Sequence, residues 1–455
     1  MVELPSRFKD IELIILDMDG VLTSEQAYWD AAGLVVRELI ESPAFLALSP
    51  PNYTPVANIF YQRMANGTRQ DWRKYLPPEL IKKCKIRGIN SNWDLAYVVA
   101  GLYLAPLFAP LLPALSKRTA ADALASRMAD DPHETRFTTE KTISSDFLRS
   151  SAMLKDSLSP IWDELQRRVE NNAWADLLHT HEFHLWGEFF RKQNYAITPL
   201  KHIELLIIDD FHPGVRGLRL LEELNRLLDP HSPASYPVFG RNTPLWDECR
   251  DLFQGWYLGE ILYEEIYHRP LPYSPKPGLI HKEEPLHGKE HTHQCLTHLR
   301  DAGYHLGIAT GRPRMEILTP LREWDMLSYF DPDRISTYDE VEEAEATLQQ
   351  DGIAANMGKP HPYVFLKSIE PHLPIQSLYQ RSEAFHPQRH QILIVGDAQA
   401  DIWAAQKIGC HSAALLSGAI GPSQRKAMEE AHPDVICNDL LELTQALCAL
   451  QSKSI

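Results

Sequence analysis

The chain has 455 residues, 44% of them hydrophobic and 23% charged, with a formal net charge of -16. That is an ordinary globular composition, long enough for roughly two to three domains, and its acidic balance speaks against general nucleic-acid binding, which needs a basic surface. Six cysteines lie scattered with no CxxC pair, and residues 1–7 hold no apolar signal core; both features lead to the expectation of reduced thiols in a cytoplasmic protein.

Residues 11–16 are apolar but for one Glu and read as a short buried strand of a parallel sheet. The strand runs into Asp17-Met18-Asp19-Gly20. Ligands of open α/β sheets sit beyond the carboxyl ends of strands. Two carboxylates placed there repel each other and are costly to desolvate unless a cation joins them. A hard, oxygen-preferring ion such as Mg2+ suits that role. Asp17 could then attack a phosphoryl group, and Asp19, two residues on, could handle the proton.

After residue 23 the character changes. Residues 24–270 are rich in apolar positions recurring at three- and four-residue steps, as in 160–169 and 217–224, and poor in β-branched runs. Residues 116–158 are more polar, and looser helices or an exposed connection are expected there. Residues 95–115 carry no charge and match a bilayer in length, but Pro106, Pro110 and Pro113 interrupt the second half. A buried helix over 95–104 followed by irregular chain is expected, not a membrane span. A run at 203–211 echoes the opening strand without its Asp-x-Asp-Gly order. Residues 269–278 carry four prolines, the mark of a stiff linker and a domain boundary.

Beyond the linker, helices and strands alternate. Helices are predicted over 287–301, 316–324, 362–369 and 400–408, and strands over 304–309, 335–338, 391–395, 412–416 and 435–437. Repeated βα units of this kind imply a parallel sheet. Residues 381–390 read as a surface loop.

Three stretches here join the opening turn. Thr310-Gly311-Arg312 follows a strand, and a hydroxyl with backbone N–H groups at a strand end can hold phosphate oxygens. Lys359 sits in the turn Gly358-Lys359-Pro360, where its ammonium could balance a carboxylate and an incoming phosphate. Asp397 ends another apolar strand and could complete a Mg2+ shell; Asp401, four residues on, could support Lys359 or a metal-bound water, or simply cap its helix.

Taken in order, Asp17-x-Asp19-Gly20-Val21-Leu22-Thr23, Thr310-Gly311-Arg312, Lys359-Pro360 and Gly396-Asp397-x-x-x-Asp401 resemble the four motifs of the haloacid dehalogenase (HAD) superfamily. The resemblance implies that Asp17 becomes an aspartyl-phosphate and that Asp19 protonates the leaving group and then activates water. It implies a Mg2+ held by the Asp17 carboxylate, the Asp19 main-chain carbonyl and Asp397, with Asp401 as the outer acidic residue. Thr310 and Gly311 would hold the phosphate, and Lys359 would neutralise it. An Asp at position 19 fits phosphatases and phosphomutases and not the dehalogenase branch. The first and second motifs are separated by more than half of the chain. In this family an insertion at that place is a cap domain, usually helical, though here far longer than a small helical cap.

The expected architecture is therefore an α/β, Rossmann-like parallel-sheet core of residues 1–23 and 275–455, split by a mainly helical cap of residues 24–274. The expected activity is Mg2+-dependent hydrolysis of a small phosphate monoester. A phosphomutase or other phosphotransferase on the same core is the alternative, and a non-catalytic partner-binding protein is another. The expected partner is a small phosphorylated substrate, with neither nucleic acid nor membrane, and a homo-oligomer is left open. Candidate specificity groups in the cap are Arg63, Arg69, Arg73, Lys74, Arg191, Lys192, Trp256 and Tyr257. Two histidine runs, 179–184 and His287/His291/His293/His298, are expected to be polar helix faces or core histidines, for want of a third placed metal ligand.

Overall fold

The computed structural model describes residues 2, 4–42, 44–45, 64–89, 91–108, 217, 219–220, 244–273, 275–382, 390–418 and 423–452. The chain divides into two compact units: Met1–Ala27 with Ile280–Ile455, and Tyr28–Leu279. The histidine run at 179–184, the strand-like run at 203–211, the polar stretch at 116–158, the helical pattern at 160–169, and Arg63, Arg191 and Lys192 lie outside the described residues.

The first strand of the first unit is β1 (Leu13–Leu16), whose four side chains are all buried. Among the described residues, five helices follow, assigned mainly to the second unit: α1 (Gln26–Glu41), α2 (Arg69–Arg73), α3 (Pro78–Ile86), α4 (Asn92–Phe108) and α5 (Pro244–Tyr267). It returns with α6 (Lys289–Asp301), β2 (His305–Ala309), α7 (Arg314–Glu323), β3 (Ile335–Ser336) and α8 (Tyr338–Gln350). There follow α9 (Tyr363–Ile369), α10 (Ile375–Ser382), β4 (Ile392–Gly396), α11 (Gln399–Lys407), β5 (His411–Leu415), α12 (Ser423–Ala431), β6 (Val435–Cys437) and α13 (Leu440–Ser452).

The six strands form one parallel sheet in the order β3-β2-β1-β4-β5-β6. β1 lies at its centre, with Ile14 paired to Leu306 on one side and Leu393 on the other. Period-two geometry sends alternate residues to opposite faces. Ile14, Leu16, Leu306, Ile308, Leu393 and Val395 pack with Leu296 and Leu299 of α6, Ile317 and Leu321 of α7, and Leu443 and Leu447 of α13. Leu13, Ile15 and Ile394 pack on the other face with Val341 and Leu348 of α8, Phe365 and Leu366 of α9, and Ala404 and Ala405 of α11. Each such aliphatic side chain contributes about 1.5–3 kcal/mol on full burial. Two covered faces explain why the strands read as continuous apolar runs.

Gly307 marks the tightest packing in β2. A Cβ there would lie 2.7 Å from Ile15 Cδ1 and 2.8 Å from Ser368 Oγ, so α9 can approach the sheet closely only over a glycine.

The predicted strand at 335–338 is shorter than expected. Thr337 and Glu340 form a capping box, Glu340 Oε2 accepting from the Thr337 N–H at 2.7 Å and from its hydroxyl at 2.6 Å. That box starts α8 at Tyr338 and ends the strand at Ser336. α10 runs through Arg381 and Ser382, which the sequence assigns to a loop. α4 continues past 104, through Pro106 to Phe108, where irregular chain is expected. One proline costs a helix about 3 kcal/mol, and the burial of Leu95, Val98, Val99 and Leu102 exceeds that. Among the described residues no helix is long and apolar enough to cross a membrane.

Within the second unit α1 carries three buried acids, each matched by a cation and an aromatic donor. Asp30 accepts from Arg69 Nε at 2.7 Å and Trp72 Nε1 at 3.2 Å. Glu41 pairs with Arg37 at 2.9 Å and Lys74 at 3.2 Å and accepts from the Tyr75 hydroxyl. Burial pushes Glu41 up, but Arg37, Tyr75 and Lys74 outweigh it and hold its carboxyl below the usual range. Glu38 accepts from Trp256 Nε1 at 2.6 Å and lies 3.2 Å from Lys276 Nζ, both charged side chains being fully buried.

The proline-rich segment is thus anchored through Lys276 and the buried Leu271. Its residues Pro277 and Gly278 also cross Gly259, whose φ of +77° kinks α5 at that point. Glu38→Ala would strand the Lys276 ammonium without its counter-ion. The expected loss is about 3–5 kcal/mol, read by denaturant unfolding; a loss below about 1 kcal/mol would contradict this role of the pair.

Four of the cap candidates have partners or packing in the second unit. Arg69 and Lys74 are engaged by Asp30 and Glu41. Trp256 and Tyr257 are core, Tyr257 stacking on Tyr28 at 4.4 Å between centroids.

Candidate active site

The site gathers at the carboxyl end of the central strands of the first unit. Asp17 follows β1 directly, and its N–H donates to Val395 O of β4 at 2.9 Å. Its carboxylate accepts from the Met18 N–H at 2.8 Å. The turn after it closes tightly: Leu22 N–H and Thr23 N–H both donate to Met18 O at 2.9 Å, and Gly20 N–H donates to Thr23 O at 2.8 Å. Gly20 has φ +68°, a conformation that costs an L side chain strain. A Cβ on it would also overlap the Asp397 carboxylate.

Asp397 follows β4 and Asp401 lies in the first turn of α11. One carboxylate oxygen from each of Asp17, Asp397 and Asp401 falls within a set spanning 4.8 Å. The Asp401 carboxylate also accepts from the Ala398 N–H at 3.2 Å, half of a capping box. Lys359 Nζ bridges the acids, 2.9 Å from Asp17 Oδ1 and 2.9 Å from Asp401 Oδ1. The Asp401 side chain thus contacts both Lys359 and the start of its own helix.

Burial raises the Asp17 carboxyl to about 7; Lys359 opposes the rise, while Asp401 and Asp19 add to it. Asp397 is pushed well above the carboxylate range by burial, then by Asp17, Asp401, Glu25 and Asp19. Burial lowers Lys359, but Asp17 and Asp401 overcome this and hold it above the ordinary lysine range.

Thr310 follows β2 and is buried, its N–H donating to Ser336 O at 3.1 Å. Its hydroxyl accepts from the Arg312 N–H at 3.3 Å. Gly311 is exposed beside it. Arg312 is 3% exposed, and its guanidinium reaches Asp19, Thr23 and Glu283. The Asp19 carboxylate thus turns toward Arg312 and does not join the acidic trio. The resemblance implies a metal contact from the Asp19 main-chain carbonyl and none from this side chain.

Three contributors escaped the sequence reading. Glu283 lies in Lys282-Glu283-Glu284-Pro285, an acidic pair just before a helix start that reads as surface. Thr23 stands in the sequence only as the tail of the Asp17–Thr23 motif. Gly418, after β5, approaches so closely that a Cβ would overlap both the Asp397 carboxylate and Gly20. The signal for Gly418 was available as a glycine shortly after a parallel strand, the position where ligand-binding loops form. Among the described residues, the acidic trio is the one group of potential ligands placed to share a metal. His287, His291, His293 and His298 form no such group; His293, for instance, contacts Trp324 O and the Tyr329 hydroxyl.

The donor set fits a hard divalent cation. All three side chains offer carboxylate oxygen, and Lys359 alone does not balance them. Like-charge repulsion and burial raise Asp17 and Asp397 toward the neutral form, and a cation between them would reverse both effects.

The HAD-hydrolase-like family matches residues 356–443 of this chain. A crystal structure solved as a structural-genomics target is 24% identical, covers 97% of this chain and 99% of its own, and superposes with a TM-score of 0.63. A HAD-superfamily hydrolase, subfamily IA, variant 1, from Geobacter sulfurreducens PCA is 17% identical over 57% of this chain and 83% of its own, with a TM-score of 0.27. A hydrolase from Pseudomonas syringae is 19% identical over 50% of this chain and 76% of its own, with a TM-score of 0.30. No curated protein matches the chain.

Proposed function

We propose, from the premise that the α/β unit belongs to the haloacid dehalogenase superfamily, that this protein is a Mg2+-dependent phosphatase acting on a small phosphate monoester. The observation that carries this reading is the Asp17–Lys359–Asp401 contact beside Asp397: a buried carboxylate at a strand end, with one ammonium 2.9 Å away and two further acids around it.

The Asp17 carboxylate attacks phosphorus in line, forming an aspartyl-phosphate as the ester oxygen departs. Asp19 gives that oxygen its proton. Asp19 then takes a proton from water, whose oxygen attacks the same phosphorus and frees Asp17. The Thr310 hydroxyl and the N–H groups after it hold the phosphoryl oxygens, and Lys359 balances their charge. Asp401 holds Lys359 in place. Asp17, Asp397 and the Asp19 main-chain carbonyl are the groups that would hold Mg2+, which supplies neutralisation of charge on the transferring oxygens. The inserted unit would act as the cap, excluding water during attack and selecting the substrate.

The test is phosphate release from p-nitrophenyl phosphate and a panel of small phosphate esters, with Mg2+ and with EDTA. Turnover is expected with Mg2+ and should fall by at least about 100-fold with EDTA. Isomerised ester without net phosphate release would replace the phosphatase by a mutase. Mg2+ binding without any turnover would favour the partner-binding protein.

A further inference from the structure

We infer that Arg312 is a positioning residue for the proton-transferring carboxylate of Asp19, locked in turn by Glu283 and Thr23. The inference rests on the phosphatase reading above, because it concerns the group that handles the leaving-group proton.

Three features carry it. The first is contact geometry. Arg312 Nε lies 3.0 Å from Asp19 Oδ1 and 3.2 Å from Oδ2, and Nη2 reaches Oδ1 as well. The guanidinium therefore grips the carboxylate by its side, and a planar fork of this kind fixes orientation as well as charge. The second is what fixes the arginine. Nη1 donates to both oxygens of Glu283 at 3.0 Å, and Nη2 donates to Thr23 Oγ1 at 3.0 Å. Arg312 and Glu283 are 3% and 4% exposed, whereas the Asp19 side chain is 26% exposed. The clamp is buried and the carboxylate it holds is open on one side, as a group that must meet substrate requires.

The third is where the anchors lie along the chain. Thr23 stands where the chain leaves the α/β unit, and Glu283 where it re-enters. The two segments are joined inside that unit by the Thr23–Pro285 bridge and by Leu286 N–H donating to Leu22 O at 2.8 Å. Thr23 Oγ1 lies 3.1 Å from Asp19 Oδ1 and 3.1 Å from Met18 O, so the same hydroxyl touches arginine, acid and turn. Arg312 thus ties the orientation of Asp19 to both crossover segments. A mere surface ion pair would leave the arginine solvated and its partner free to rotate.

The role predicts a leaving-group dependence that a structural role does not. A p-nitrophenolate leaves without needing a proton, while an alkoxide needs one. The value of kcat/KM, which reports the steps up to departure of the leaving group, is compared for p-nitrophenyl phosphate and for an alkyl phosphate that the wild type turns over. Arg312→Met is expected to lower it on the order of 100-fold for the alkyl ester, the scale of a mispositioned general acid, and by less than about tenfold for p-nitrophenyl phosphate. Arg312→Lys, which keeps the charge but loses the fork, should fall between wild type and Arg312→Met on the alkyl ester. It also serves as the readout if Arg312→Met fails to fold. Equal losses on both esters, or full activity in Arg312→Lys, would overturn the assignment. A wild type inactive on every ester would instead bring down the phosphatase reading, and this inference with it.

Discussion

Asp17→Asn is expected to abolish phosphate release, by on the order of 10^4-fold or more, the scale on which loss of a nucleophile is felt. The substitution is nearly isosteric, so the turn from Met18 to Thr23 has no reason to change. The amide cannot form the acyl-phosphate, and of the neighbouring carboxylates Asp19 is held by Arg312 and Asp401 by Lys359 and its own helix cap. The stability of the metal-free protein should move the other way. The Asp17 carboxyl sits at about 7 in the folded protein against an ordinary value of 3.8. A raised folded pKa means that the native state binds the extra proton. This contribution is favourable below the ordinary value and is lost as pH rises toward 7. At pH 8 in EDTA the ionised Asp17 therefore costs the fold a few kcal/mol. The Asn variant should accordingly melt at or above the wild type under those conditions and show a weaker decline between pH 4 and pH 7. Thermal melts across that range, run beside the phosphate assay, check both halves. Residual activity within tenfold of wild type would remove Asp17 from the nucleophile's place.

Lys359→Met should damage both stability and rate. Its ammonium lies 2.9 Å from Asp17 and from Asp401, whose side chains are 10% and 1% exposed. Removing one partner of a buried ion pair costs about 3–5 kcal/mol, since the remaining charges keep their desolvation penalty without the attraction. The midpoint of urea unfolding at neutral pH should fall accordingly in EDTA. Mg2+ should recover part of the loss, because a cation held by Asp17 and Asp397 relieves the same crowding of negative charge. Activity at saturating Mg2+ should still fall by roughly 10^2- to 10^3-fold, the range seen when one preorganised charge is taken from a transferring group. An unfolding midpoint unchanged from wild type, or a loss of the same size with and without Mg2+, would show that lysine and metal do not share the neutralisation of these acids.

The α/β reading of the second half was legible because its signals are local. Apolar runs such as Ile392–Gly396, bounded by acidic turns and followed by Gln399–Lys407, announce a βα unit from neighbouring residues alone. What failed was also local, and for a physical reason. Tyr338 looks like the end of a β-rich run, but the Thr337–Glu340 capping box satisfies the first helical N–H groups and starts α8 there. Pro106 looks like a stop, but burial of Leu95, Val98, Val99 and Leu102 earlier in the same helix outweighs one lost hydrogen bond. Lys276 lies in the proline-rich stretch that reads as a linker, yet it is buried against Glu38, which precedes it by more than two hundred residues.

The same division runs through the site. The sequence by itself determined the residue types Asp17, Asp19, Thr310, Lys359, Asp397 and Asp401 and the strand-end positions of Asp17, Thr310 and Asp397, because period-two strands and the turns after them are set by adjacent residues. Only the tertiary structure decided what each carboxylate faces. Parallel pairing of β1 with both β2 and β4 brings Asp17, Thr310 and Asp397 together at the carboxyl ends of the central strands. The close approach of Gly20 and Gly418 to Asp397 fixes how tightly they meet. Arg312, buried between Asp19 and Glu283, turned one acid of the Asp-x-Asp pair away from the trio of Asp17, Asp397 and Asp401. Charges separated by hundreds of residues have no local signature. Their partners are chosen by which strand ends the sheet places side by side, and by the cost of leaving any one of them buried and alone.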